Sequence, residues 1–212
     1  MAKPIEKKIL IGIPVIIVII IIISLFTPAP KAEQIEVALI NEDTEKALEI
    51  IDHSTVRQLN KPQHSAIVER ILCMFEAGGA DYPIIEASFH HNPEVVDALI
   101  AKGVDVNVVN QVLDYTALTE ALDSFPREEN YIIAESLIDA GADVDFVDFR
   151  GQKPIDYALL KDDEVLNNPK LQEARKKVII SIANHSNASD YRYILDRLEE
   201  KNEWDIIEEL KL

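Results

Sequence analysis

The side chains able to do chemistry are few and scattered. Five histidines come first: His53, His64, His90, His91 and His185. Only His90 and His91 adjoin, and neighbours at a helix end point in different directions, which is poor geometry for sharing a metal ion. The chain carries no His-Glu-x-x-His, no Gly-x-Ser-x-Gly elbow, no Walker-type phosphate loop and no Gly-x-Gly-x-x-Gly fingerprint. The single cysteine, Cys73, stands in the apolar run Ile71-Leu72-Cys73-Met74-Phe75 and reads as a buried structural thiol. One cysteine rules out an intrachain disulfide framework and is compatible with an oxidising compartment. Asn184-His-Ser186 and Asn187-Ala-Ser189 match glycosylation acceptors, which matter only in a eukaryotic lumen. The expectation is a non-enzyme with no catalytic residue, cofactor, metal or small-molecule substrate. A site hidden around His90 or Asp156 is the enzymatic alternative.

Charge narrows the partner. The 212 residues hold 38 acids against 21 Lys and Arg, a net charge of −17. Residues 1–32 contain Lys3, Lys7, Lys8 and Lys31 against Glu6 alone, so the rest of the chain is more acidic than the whole. Such a surface argues against nucleic acid and against anionic membrane surfaces. It suits solubility and would speed encounter with a basic partner.

The elements beneath these residues repeat. Tyr82-Pro-Ile-Ile-Glu-Ala87 is followed by Asn92-Pro-Glu-Val-Val-Asp-Ala-Leu-Ile100 and Gly103-Val-Asp-Val-Asn107. Thr116-Ala-Leu-Thr-Glu-Ala121 repeats the opening, and Leu137-Ile-Asp-Ala-Gly-Ala-Asp-Val-Asp145 repeats the close. Gly151-Gln-Lys-Pro-Ile-Asp-Tyr-Ala158 opens a third unit. Pro83 suits a first helical turn, where its missing N–H goes unused. Val95, Val96, Leu99 and Ile100 form an apolar helical stripe, and Gly103 can end the helix in the left-handed conformation. The pattern resembles the ankyrin repeat, which opens Thr-Pro-Leu-His-x-Ala at a period of about 33 residues. The resemblance is strongest over 82–158.

That resemblance implies an all-α solenoid of helix-turn-helix units with short β-turn fingers, residues 39–186, closed by capping helices over 187–212. Ile71–Asp81 reads as the end of an earlier unit, with Asp43–His53 as its helix partner. The family's His is replaced by Ile85, Thr119 and Asp156. The loop around Phe125–Asn130 is about four residues longer than the pattern, either as drift in a tolerant loop or as part of a binding face. A helix over Lys170–Asn184 and a last one capped by Ser189 or Asp190 should follow. That last stretch is either a polar-faced cap or a partner-binding helix with Trp204 exposed.

Ile9–Phe26 is an uncharged, isoleucine-rich run near the lower limit for spanning a bilayer. With Lys3, Lys7 and Lys8 before it, residues 1–8 are expected in the cytoplasm, 9–26 as a transmembrane helix and 27–38 as a linker. The competitor is a cleaved signal peptide, but Thr27-Pro-Ala-Pro-Lys-Ala32 has no Ala-x-Ala pair. The layout suggests a bacterial inner-membrane, single-pass protein with periplasmic repeats.

Ankyrin domains generally bind proteins through finger tips and the inner faces of their first helices. Carried onto this chain, that implies contacts at Phe89, His90, Tyr115, Phe149 and Arg150, with Asp123 and Ser124 nearby. Aromatic residues and Arg dominate binding energy when desolvated. The specific roles that fit are an immunity protein masking a secreted toxin, such as a type VI lipase effector, or a periplasmic adaptor for an oxidative-stress enzyme. A cytosolic-facing signalling scaffold is the reading if the orientation is reversed.

Overall fold

Short polar or left-handed turns cut this chain into paired helices. The computed structural model describes residues 31–61, 82–110, 114–124, 126–160 and 163–211. The expected anchor 9–26, its basic flank 1–8, Cys73 with the apolar run around it, Ile71–Asp81 and Phe125 lie outside the described residues. Among those described there is no strand, and no helix is long and apolar enough to cross a membrane.

The first pair is α1, Lys31–Ile40, and α2, Thr44–Asp52; a single turn, α3, Val56–Leu59, follows. The second pair is α4, Pro83–Phe89, and α5, Pro93–Lys102, and the third α6, Ala117–Asp123, and α7, Glu128–Asp139. The fourth pairs α8, Pro154–Ala158, with the long α10, Pro169–His185, and a short α9, Asp163–Asn167, lies between them. Then come α11, Ala188–Glu200, and α12, Trp204–Leu210. Helices α1, α4, α6 and α8 stack in one row, and α2, α5, α7 and α10 stack behind them. The core lies between the rows, where Ala87, Val95, Val96, Leu99, Leu118, Ile133, Ala134, Leu137 and Ile155 are at most 1% exposed.

One turn recurs inside the pairs. The N–H of Glu42 donates to Leu39 and that of Asp43 to Ala38; His91 and Asn92 bond Ser88 and Ala87 in the same way. Asn202 and Glu203 repeat it on Glu199 and Leu198. The middle residue is left-handed each time, at φ 56°, 53° and 58° for Glu42, His91 and Asn202. The next residue then starts the second helix, and Asp43 and Asn92 cap it by accepting the N–H of Lys46 and Val95. The shared turn makes α11–α12 a fifth helix pair of the same kind, with α12 against α10.

This register corrects two expectations. Residues 31–38, expected as linker, belong to α1, which buries Ala32, Ile35, Ala38 and Leu39. Helix α1 packs along α2. Apolar spacing along 32–39 matches one helix face, and burial overrode the neighbouring prolines. The cap of α11 is Asn187, which accepts the N–H of both Ser189 and Asp190.

The extra residues around 125–130 have a definite form. From Ala87 to Gly103 is sixteen positions, whereas Ala121 to Gly141 is twenty. The additional four appear mainly as an extra helical turn at the start of α7. Asn130, in that turn and 2% exposed, donates its side-chain N–H to the Ala121 carbonyl at 3.0 Å.

Counting from the turn at Asn60 as the first, the second and third fingers leave the outer helices after Gly103 and Gly141, whose φ values are +85° and +90°. They are tied in sequence. Asn60 Oδ1 accepts the Asp105 N–H at 3.0 Å, and Asn107 Oδ1 accepts the Asp143 N–H at 2.7 Å. Asp145 then accepts from the Asn187 backbone at 3.1 Å and from its side chain at 2.7 Å.

Candidate functional site

The third finger ends in a built turn. Asp148 and Gln152 bond across it at 3.0 Å, and Gly151 takes φ +75°, a conformation glycine adopts without a Cβ penalty. Asp148, 6% exposed, organises the tip. Its Oδ1 accepts the N–H of Arg150 at 2.8 Å and of Gln152 at 2.9 Å, and its Oδ2 accepts the Tyr157 hydroxyl from α8. Burial opposes ionisation of Asp148, but the Tyr157 hydroxyl and the two backbone N–H groups outweigh it and hold the carboxyl below its usual range. Burial, followed by the hydrogen bond to Asp148, pushes the Tyr157 phenol well above its ordinary value.

This turn sets Phe149 and Arg150 at the edge of a depression of about 220 Å³. Phe89, the last residue of α4, and Tyr115, from the second finger, line it too. Glu120 and Asp123 of α6 and Tyr157 line the rest of the wall. Phe89 is 56% exposed and Phe149 53%. The Arg150 guanidinium lies 5.1 Å from the centroid of the Phe149 ring and 3.1 Å from Asp123 Oδ2. A cation over a ring face is attracted by its quadrupole.

The structure thus gathers four of the five expected contact residues, Phe89, Tyr115, Phe149 and Arg150, around one concavity. His90 does not line it. Its ring stands edge-on to Phe89 at 5.2 Å, with Nε2 3.9 Å from Glu86. Burial lowers the His90 pKa, with Glu36 opposing the shift, so the ring leans towards the neutral form. Asp123 belongs to the depression, and Ser124 lines a second one of about 240 Å³ with Leu122, Pro126, Asn130, Tyr131 and Leu160. The two share Asp123 and Tyr157.

Sequence reasoning missed Asp148, Tyr157 and Glu120. A signal for the first was present: Asp148 occupies the place of Asn110, whose N–H likewise bonds across its finger, to Tyr115 at 2.8 Å. Asp156, which replaces the family's His, has a structural part. It is 4% exposed and accepts the Lys153 N–H at 2.9 Å, the Tyr193 hydroxyl at 2.8 Å and Arg197 Nε at 2.8 Å, joining α8 to α11. Burial, followed by the hydrogen bond to Asp156, pushes the Tyr193 phenol up to about 12. Among the described residues, no group of three or more His, Cys, Asp or Glu side chains could hold a metal ion.

Short inner helices, longer outer helices and fingers tied in series, at the period of the sequence motif, decide the architecture. The described residues form an ankyrin-repeat fold. An ankyrin repeat domain from Acinetobacter baumannii AYE is 25% identical, with 68% of this chain and 79% of that one covered and a TM-score of 0.41. The ankyrin repeat protein EF0377 is 20% identical, with 66% and 77% covered and a TM-score of 0.38. Both scores are below 0.5, so the fold rests on this chain's own repeats. No protein-family model matches the chain, and no curated protein matches it. Ankyrin folds serve in general as non-enzymatic protein-interaction modules, and fold alone does not name a partner.

Proposed function

We propose that this chain is a membrane-tethered, non-enzymatic ankyrin-repeat protein that binds one partner protein through the groove beneath its second and third fingers. The observation that carries the reading is the convergence of half-exposed Phe89, Phe149 and Arg150 on one concavity. Large aromatic rings left in water beside an Arg are the residue types that dominate interface energy once a partner excludes solvent. In the specific reading the partner is a toxin secreted by a competing cell, such as a lipase, and the chain is its immunity protein. The acidic, idiosyncratic repeat surface suits one dedicated partner. Residues 9–26 would anchor the chain in the inner membrane with the repeats in the periplasm, in keeping with Lys3, Lys7 and Lys8 before the apolar run.

The reading is tested by deleting the gene and challenging the cells with toxin-secreting neighbours and, separately, with peroxide. Death only under challenge by neighbours supports immunity; peroxide sensitivity without them moves the role to an adaptor of oxidative-stress defence. In the same strain, Tyr115→Ala, Phe149→Ala and Arg150→Ala together should abolish protection while the protein accumulates normally. Full protection by that triple variant would eliminate the groove as the binding face. A reporter fused after Leu212 tests the orientation, and activity of a cytoplasm-only reporter would refute a periplasmic location.

A further inference from the structure

We infer that the groove takes a protein segment presenting a Lys or Arg beside a bulky aliphatic residue, an inference that rests on the docking reading above. The two depressions share Asp123 and Tyr157 as their common wall. Because they adjoin, one short segment can fill both with neighbouring side chains.

The first depression has the chemistry of a cation receptor. Among the described residues three carboxylates line it, Glu120, Asp123 and Asp148, against the guanidinium of Arg150. Asp148 is already committed to Tyr157 and to two backbone N–H groups. Arg150 is already offset by Asp123 at 3.1 Å. An incoming anion would meet a wall that is net negative among the described residues, with Arg150 already engaged. An incoming cation is attracted by the excess of carboxylates over guanidinium in that wall and meets the exposed faces of Phe89 and Phe149. The 5.1 Å approach of Arg150 to the Phe149 ring is an internal instance of that contact. The charge of −17 on the whole chain acts in the same direction at long range.

The second depression is mostly hydrocarbon. Leu122, Pro126, Tyr131 and Leu160 supply its apolar wall, and Leu160 is 55% exposed. The extra turn of α7 builds one side, since Asn130 docks it on Ala121 at 3.0 Å. An aliphatic side chain placed there removes the Leu160 surface from water. An acidic-walled aromatic pocket beside an aliphatic one therefore selects for order and charge in the partner segment.

The test uses the full-length chain in neutral detergent micelles, with NMR signals from aromatic rings and Leu methyl groups. The probes are blocked peptides identical except for a central pair: Arg-Leu, Arg-Ser, Glu-Leu or Gly-Ser. The Arg-Leu peptide should move the rings of Phe89 and Phe149 and the methyl groups of Leu122 and Leu160. Its affinity should exceed that of Arg-Ser and of Glu-Leu by roughly five-fold, as expected for one partly screened ion pair or one partly buried side chain. Glu120→Gln with Asp123→Asn should remove the preference for Arg-Leu over Glu-Leu while leaving the methyl spectrum of the core unchanged. Binding of Glu-Leu as tight as Arg-Leu, with shifts in the same groove, would overturn the charge inference and leave the docking reading standing. If no peptide of either charge moved the Phe89 and Phe149 rings, the docking reading would fall and the inference with it.

Discussion

Replacing Arg175 with Ala should detach the C-terminal helix pair while the middle repeats stay folded. Arg175 lies on α10, and its Nη2 is 2.6 Å from Glu203 Oε1, with side chains 5% and 8% exposed. Its Nε donates to the Ala158 carbonyl at 2.8 Å, so one guanidinium joins the end of α8 to the turn between α11 and α12. Breaking a buried pair by removing one partner costs about 3–5 kcal/mol, because the remaining charge keeps its desolvation penalty. Stability in a solenoid is a sum of repeat and neighbour-interface contributions, so the loss should concentrate where the pair acts. Trp204, the single tryptophan, begins α12 beside Glu203 and reports on that region. With a urea m-value of about 2 kcal/mol/M, a loss of about 4 kcal/mol moves the Trp204 fluorescence midpoint down by roughly 2 M. Far-UV circular dichroism, dominated by the other helices, should move less, so the two transitions separate. Arg175→Met combined with Glu203→Leu should recover most of the loss, since an apolar pair leaves no stranded charge. Coincident Trp204 and dichroism transitions, or a Trp204 midpoint within about 0.5 M of the parent, would refute the assignment of this pair as the local clamp.

Other perturbations test single links. Tyr157→Phe removes a hydrogen bond to a charged group, a loss of about 1.5–3 kcal/mol, and should raise the Asp148 pKa towards its ordinary value. An unchanged carboxyl-carbon titration of Asp148 would contradict that link. Because its folded pKa is depressed, the stability contributed by Asp148 is present above about pH 4 and lost as pH falls through the folded value. Burial lowers the pKa of His90 and of His91, so the unfolded chain takes up protons first on acidification. Stability should decline as pH falls from about 6.5 through the folded values; a rise over that interval would reverse the sign. Gly103→Ala meets no atom within 4 Å, so its cost is purely that of a left-handed backbone, about 1–2 kcal/mol. Gly103→Asn should cost less, and equal urea midpoints for all three residues would rule out a conformational role for this cap.

Legibility in the sequence followed how local the physics was. Pro83 and Gly103 could be read because a first-turn proline and a left-handed cap depend only on their own backbone geometry. The stripe Val95, Val96, Leu99 and Ile100 could be read because helical spacing fixes a face; the first three are fully buried and Ile100 is partly buried against the same core. Helix α1 was misread as linker because Lys31 follows a Pro-Ala-Pro stretch, and only packing against α2 and α4 reveals its role. Capping helices over 187–212 are expected from the sequence, but their likeness to the other pairs is not, because Leu198 stands where Ala38 and Ala87 stand, and Asn202 where Glu42 and His91 do, while the turn hydrogen bonds are the same. In the groove, exposed Phe89, Phe149 and Arg150 were legible from residue type and position in the repeat. Asp148 and Tyr157 were not, because their pairing joins a finger to a helix and exists only once both are folded.

The central claim, that the groove beneath the second and third fingers is the partner-docking surface, is tested most directly by photocrosslinking in the native cell. A photoreactive phenylalanine would be placed singly at Phe89, Phe149, Trp204 or Val56, all exposed. Positions 89 and 149 should each give the same single adduct, lost on adding Arg150→Ala, and positions 56 and 204 should give none. Adducts from 204 or 56 with none from 89 and 149 would contradict the account and move the binding face elsewhere on the solenoid.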